Sequence, residues 1–361
     1  MKPKGILTIA LGLLAATIAL GQSQAPPLPP APANAPPPSL QAANDPGYAA
    51  AIVACKNPPP KFRGFRPGVK PAPGPRDTAV TEIPGVIAAG QQWKFVWQEE
   101  GNNGDGIAGT SDGGLMIAQN DKSDVVKLDK DGKPSIVYTD THTGGSLSIN
   151  KKGDVFIVER GLSPSIWELS PRHRLLANLY QGDTLDCLGG VLNDLSADSK
   201  GGAYFTMGGL YYASPKGAIT KYGENLRTNG IILSPSEKNL YVTNGNSVVA
   251  FDVQPDGALT NQGELAKLQE GTAGDGSTID ADGRIYVTSN PGVQVISSDG
   301  KWLGLIPTPR DVISVAFSGP NKKTLFILAR GAEGSDGKQV ANAAQVYSIE
   351  MIAQGYKGRA K

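Results

Sequence analysis

The chain has 361 residues, with 46 Gly and 28 Pro, 39% hydrophobic and 19% charged residues, and a net charge of +1. Near-neutral charge removes a general attraction to nucleic acid or anionic membrane, and 2 Cys with 2 His exclude a zinc ribbon, a His-rich metal centre and a disulfide scaffold. The Gly excess with moderate apolar content points to many short strands joined by tight turns, in one large domain or two ordinary ones.

Residues 1–21 read as a signal peptide for export: Lys2 and Lys4 precede the apolar stretch from Ile6 to Leu20, and Ala19-Leu20-Gly21 supplies small residues for cleavage. The alternative is an uncleaved anchor, for which the stretch is short of the ~20 residues a bilayer needs. An exported protein, periplasmic or secreted, without a transmembrane domain after cleavage is expected. Residues 22–80 read as a Pro-rich linker or extension that is disordered. Pro and Ala dominate from Pro26 to Pro38, and a second Pro-rich run from Asn57 to Pro75 carries Lys61, Arg63, Arg66 and Lys70. A short helix is expected between the two runs, from Tyr48 to Cys55. Cys55 and Cys187 either pair in an oxidising compartment, tying the extension to the domain, or stay unpaired with Cys187 in a loop. The folded domain is placed at residues 81–361.

Within that domain one pattern recurs six times. It reads Asp112-Gly-Gly-Leu-Met-Ile-Ala-Gln119, Lys152-Gly-Asp-Val-Phe-Ile-Val-Glu159, Lys200-Gly-Gly-Ala-Tyr-Phe-Thr-Met207, Glu237-Lys-Asn-Leu-Tyr-Val-Thr-Asn244, Asp282-Gly-Arg-Ile-Tyr-Val-Thr-Ser289 and Asn321-Lys-Lys-Thr-Leu-Phe-Ile-Leu-Ala329. Each copy is a polar turn followed by a short apolar and aromatic strand, and the copies recur every 37 to 48 residues, the length of a four-stranded blade. Apolar strands flank each copy, and turns such as Asp131-Gly132, Asp256-Gly257 and Asp299-Gly300 lead to a fourth strand. The expected fold is all-β, a six-bladed β-propeller of four-stranded antiparallel blades. The early segment Trp93 to Trp97 closes the ring on the last blade. A seventh blade has no copy, and two separate β-domains do not explain one continuous period.

Propeller geometry places the first residue of each innermost strand at the mouth of the central channel. Those positions are Asp105, Gly145, Asn193, Asn229, Asp275 and Ser314. Asp-Gly and Asn-Gly steps are ordinary turn formers, but here they share one register. Two carboxylates and two amide carbonyls facing one axis repel unless something positive sits between them. Oxygen donors of this kind suit one hard divalent cation, Ca²⁺ first, with Mg²⁺, Mn²⁺ or Zn²⁺ as substitutes. Asp105, Asn193, Asn229 and Asp275 are the expected ligands.

These residues resemble the regucalcin/gluconolactonase (SGL, SMP-30-like) family. The similarity is carried by Asn193-Asp-Leu before Lys200-Gly-Gly-Ala-Tyr-Phe-Thr206, by Asn229-Gly-Ile-Ile-Leu-Ser-Pro235, by Asp275-Gly-Ser-Thr-Ile-Asp-Ala-Asp-Gly-Arg-Ile-Tyr-Val287, and by Val315-Ala-Phe-Ser-Gly-Pro320, over about residues 99–350. The resemblance implies a cation held by Asn229 and Asp275, with Asp105 where the family has Glu, unless Glu99 or Glu100 takes that place. It implies that Asn193 faces water or substrate. The Arg that some sugar lactonases carry two residues before this Asn is replaced by Val191, and Ser314 replaces an Asn common in the sixth blade.

The implied activity is hydrolysis of a carboxylic ester, a gluconolactonase-like lactonase opening a sugar lactone with metal-activated water. Asp275 then serves as the catalytic base beside Asn193. Asp194, standing behind the ring, is a candidate for holding substrate together with Ser314, Arg160, Arg227, His142 and Tyr211. A small-molecule substrate, no nucleic acid and a monomer are expected. Two alternatives stay open: a calcium-binding propeller acting as a non-catalytic binding module, and an aryl-ester or phosphotriester hydrolase on the same scaffold. With His142 and His173 alone and no Gly-x-Ser-x-Gly segment, a Ser-His-Asp hydrolase has no support.

Overall fold

In the repeated polar turn, Gly113, Gly153, Gly201 and Gly283 reverse the chain at φ between +80° and +91°, a left-handed backbone that glycine adopts without steric cost. Glu237 takes the equivalent place at φ +57°. Its carboxylate offsets the strain by accepting hydrogen bonds from the Ser199 amide (3.1 Å) and hydroxyl (2.7 Å) of the preceding blade. The structure is a computed structural model and describes Ala42 and residues 45–59, 74–99, 104–120, 122–271, 273–333 and 339–361. The export signal, the run from Pro26 to Pro38, the basic positions from Lys61 to Lys70, and Glu100 lie outside these residues.

Six antiparallel four-stranded sheets follow in chain order. Blade 1 comprises Gly104–Gly109, Leu115–Gln119, Asp124–Leu128 and Pro134–Tyr138; blade 2 comprises Gly144–Ile149, Val155–Glu159, Ser165–Ser170 and Arg174–Ala177. Blade 3 comprises Leu195–Ala197, Ala203–Thr206, Leu210–Ala213 and Ile219–Tyr222; blade 4 comprises Thr228–Leu233, Asn239–Asn244, Ser247–Val253 and Leu259–Lys267. Blade 5 comprises Ser277–Ile279, Ile285–Ser289, Gly292–Ile296 and Trp302–Pro307. Blade 6 comprises Val312–Ser318, Thr324–Glu333 and Gln339–Glu350, and its outer strand is the N-terminal Lys94–Glu99, paired from Lys94↔Ser348 to Glu99↔Ala344. This pairing is the ring closure expected of the Trp93 to Trp97 segment.

The apolar core lies between blades rather than on the axis, because alternate residues of each strand face the neighbouring sheets. Ala118 meets Leu147 between blades 1 and 2, Phe156 meets Phe205 between blades 2 and 3, and Tyr204 meets Leu233 between blades 3 and 4. Ile232 and Val287 fill the gap between blades 4 and 5, Tyr286 and Phe317 that between blades 5 and 6, and Ile107 and Ala316 that between blades 6 and 1. The Tyr286 and Phe317 rings meet edge to face at 4.9 Å, a favoured aromatic geometry.

Part of the stretch read as linker is folded. Tyr48–Val53 is a helix, and a Cys55–Cys187 disulfide with a Cα–Cα distance of 5.6 Å ties it to the loop before blade 3. Lys56 adds hydrogen bonds to Asp183 (3.1 Å) and to the Gln181 carbonyl (2.8 Å). Attachment to blades 5 and 6 begins by Arg76, whose Nε donates to the Thr308 carbonyl (2.9 Å), and Val80 and Ile83 join the core there. A six-residue helix without a side-chain cap is unstable alone. The double replacement Cys55→Ser/Cys187→Ser is thus expected to speed proteolysis within residues 45–59 while cooperative unfolding of the propeller persists. An unchanged digestion pattern would show that the docked contacts suffice without the covalent tie.

Beyond blade 6, residues 351–361 close the end of the channel opposite the mouth. Ala360 pairs with Ile149 and Gly355 with Asp280, both at the far ends of innermost strands. No helix among the described residues is long and apolar enough to cross a membrane.

Candidate active site at the channel mouth

Innermost strands are stitched to one another by side chains at the axis. Ser148 Oγ accepts the Ala197 amide (3.0 Å), Ser196 Oγ the Leu233 amide (3.2 Å) and Ser314 Oγ the Ile107 amide (3.2 Å). Each of these bonds joins adjacent blades and satisfies a backbone donor that the ladder leaves over. At the mouth, Asp105, Asn193, Asn229, Asp275 and Ser314 line one cavity together with Ser146 and Asp194. The ring expected from the register is therefore assembled. Its cavity is only about 10 Å³, room for about one water molecule.

Arg160 reaches two members of this ring, Asp105 and Asn193. Expected in a loop as a substrate-holding group, it is instead buried, its side chain 3% exposed. Its guanidinium pairs with Asp105 through Nη1, donates through Nη2 to the Asn193 side-chain and backbone oxygens (both 2.7 Å), and donates through Nε to the Leu192 carbonyl (2.8 Å). Asn193 then passes a hydrogen bond from its own Nδ2 to Asn229 Oδ1 (2.7 Å). Gly145 makes the insertion possible: a Cβ there would fall inside the guanidinium. The one ring position without a polar side chain is thus the gap through which Arg160 enters. The backbone of Arg160 is held as well, its amide by the His142 and Thr143 carbonyls and its carbonyl by the Ala42 amide (2.7 Å).

Asp194 lies beneath the ring as a cross-brace rather than a substrate contact. Its Oδ1 accepts Ser146 Oγ (2.5 Å) and its own Leu195 amide (2.9 Å); its Oδ2 accepts the Ile231 amide (2.9 Å) and pairs with Lys361. Lys361 is buried on the axis and also donates to the Ile231 carbonyl (2.9 Å). Burial pushes its ammonium pKa down, against the pull of Asp194.

Asp275 differs from its neighbours. Its backbone amide extends the blade 5 ladder to the Thr288 carbonyl (2.8 Å), but its carboxylate makes no hydrogen bond or ion pair among the described residues. Burial, and then the negative charge of Asp105, push its pKa up to about 7.

Three other expected substrate residues lie elsewhere. Arg227 is exposed and outside the cavity, its amide bound to Asn244 Oδ1 (2.6 Å). His142 pairs through Nδ1 with Glu159 (3.2 Å), away from the ring. Tyr211 is buried inside its blade, stacked on Phe205 at 5.2 Å. Loop position alone drew attention to them, and loop position does not fix where a side chain points. Glu99 has its backbone in the closing strand; its side chain lies outside the description.

The donor chemistry of the ring suits a hard cation, but three of the four donors are committed: Asp105 and Asn193 to Arg160, and Asn229 to Asn193. A divalent ion at their centre would meet the guanidinium. The residues as arranged do not fit such an ion, and no chemical step is assigned to one.

The sequence profile of the SMP-30/Gluconolactonase/LRE-like region matches residues 135–330, more than half of the chain. The chain belongs to this family. Among SMP-30/gluconolactonase relatives, a gluconolactonase of Zymomonas mobilis is 26% identical over 256 residues, covering 67% of this chain and 63% of the relative, so the chain spans just under two thirds of that protein's length. Two solved structures share the fold. A gluconolactonase of Xanthomonas campestris has a TM-score of 0.62 at 20% identity, covering 78% of this chain and 99% of its own. A calcium-binding regucalcin of Agrobacterium tumefaciens has a TM-score of 0.56 at 18% identity, covering 72% and 95%.

Proposed function

We propose that this protein is an exported lactonase that hydrolyses a cyclic carboxylic ester at the channel mouth. The observation that carries the reading is Asp275: a carboxylate without a hydrogen-bond or ion-pair partner among the described residues, in one cavity with the Asp105 and Asn193 that Arg160 holds, in a chain of the gluconolactonase family. A carboxylate that titrates near 7 is matched to general-base work at neutral pH.

Asp275 takes a proton from water as the water oxygen adds to the lactone carbonyl. Negative charge then develops on the carbonyl oxygen, and the positive charge of Arg160 favours it. Of the five N–H groups of an arginine, the contacts of Arg160 leave one Nη1 hydrogen without a protein acceptor among the described residues. Collapse of the tetrahedral species breaks the ring C–O bond, and the proton held by Asp275 passes to the leaving oxygen to give an open hydroxy acid. A sugar lactone is the first substrate to test because the Zymomonas relative is named a gluconolactonase. The Cys55–Cys187 disulfide supports export to an oxidising compartment.

The test is acid release from glucono-1,5-lactone and from an aryl lactone, with a phosphotriester as comparator. Turnover of a lactone is expected. Turnover of the phosphotriester alone, or none with native circular dichroism, removes the lactonase reading.

A further inference from the structure

Two carboxylates and two amide oxygens gathered on one axis need a positive charge between them, and this chain supplies one covalently. Arg160 contacts Asp105 and Asn193 directly and Asn229 through Asn193. Nothing in this arrangement is loosely held. The guanidinium is buried, its Nε and both terminal nitrogens have acceptors, and the flanking backbone is bonded on both sides. The ring position nearest to it is Gly145, where any larger side chain would collide with the guanidinium. A second internal cation, Lys361, neutralises Asp194 beneath. Of the three carboxylates lining the cavity, two therefore already have a buried cation, Asp105 in Arg160 and Asp194 in Lys361. A divalent ion would add charge to a site that is nearly balanced, and it would have to break a buried Arg–carboxylate pair to reach its ligands.

We propose that the guanidinium of Arg160 is the resident cation of the channel mouth, standing where an oxygen-ligated divalent ion would sit, and that this protein holds no divalent ion there. A buried guanidinium cannot dissociate, so the ring keeps its positive charge whatever the calcium level outside. The inference concerns the site of the proposed reaction but does not rest on it, because its test reads ion binding and not turnover.

The full chain, stripped with a chelator and dialysed, is titrated calorimetrically with Ca²⁺ and then with Mn²⁺. No saturable binding is expected below about 1 mM, the weak end of known protein calcium sites. Two variants are designed to open the site. Arg160→Met removes the cation and leaves the oxygens; Gly145→Ala keeps the arginine but closes the gap it uses. Each is expected to bind Ca²⁺ about tenfold or more tightly than the parent, with thermal melts reporting that it is folded. Stoichiometric binding of either ion to the parent below about 1 mM, lost in Asp275→Asn, overturns the proposal. The parent titration decides this even when a variant does not fold.

Discussion

Asp275→Asn is expected to lower kcat/KM for lactone hydrolysis by about 10²- to 10⁴-fold, the contribution of a positioned general base. The replacement is close in shape, and no group among the described residues donates to the carboxylate, so the ring around it has no described hydrogen bond to lose. What disappears is the capacity to accept a proton. The pH dependence follows from the direction of the shift. A carboxyl raised to about 7 from its ordinary 3.8 is neutral and inactive as a base on the acid side. Turnover should therefore rise with pH and level off above about 7. Stability should run the other way. Between about pH 4 and 7 the folded protein holds a proton that the unfolded chain has released, so stability falls across that window and is flat above it. Thermal melts at a series of pH values should show the slope in the parent and a weaker one in Asp275→Asn. A variant with undiminished kcat/KM would show that another group activates the water.

Asp194→Ala is expected to destabilise the propeller by about 3–5 kcal/mol, the cost of breaking a buried ion pair by removing one partner. The carboxylate joins three blades and the C-terminal segment through Ser146, Leu195, Ile231 and Lys361. Its loss removes the acceptor of two buried backbone N–H groups, those of Leu195 and Ile231, and leaves the Lys361 ammonium uncompensated. Adding Lys361→Met removes the stranded charge and should recover part of the loss, so the pair is not additive. Urea unfolding of the two single variants and the double variant measures this directly. A loss below about 1 kcal/mol for Asp194→Ala, as for an exposed pair, would mean that water reaches the site and screens it.

Much of the molecule was legible because blade structure is local. A turn that favours glycine at positive φ, then a short apolar strand, specifies each hairpin without reference to the rest of the chain. Repetition of that unit at one spacing implies the ring, and the ring implies that Asp105, Asn193, Asn229, Asp275 and Ser314 share an axis. Oxygens gathered on one axis call for a positive charge, and the sequence pointed to a divalent cation for it. The contacts of Arg160 with the ring were not legible. Arg160 follows the second strand of blade 2 in a loop, where arginine is ordinary, and only the placement of Gly145 beside it turns the side chain inward. The lone Gly in a ring of Asp, Asn and Ser was the available signal.

Sequence by itself determined the blade count, the closing strand, the channel register and the family, because each depends on backbone periodicity and short-range turn chemistry. Tertiary structure alone decided which charges meet. Arg160 on Asp105 spans blades 2 and 1, and Lys361 on Asp194 joins the chain end to blade 3. Such pairs carry no periodic trace, since a side chain's direction is set by the space its neighbours leave and not by its place in a repeat.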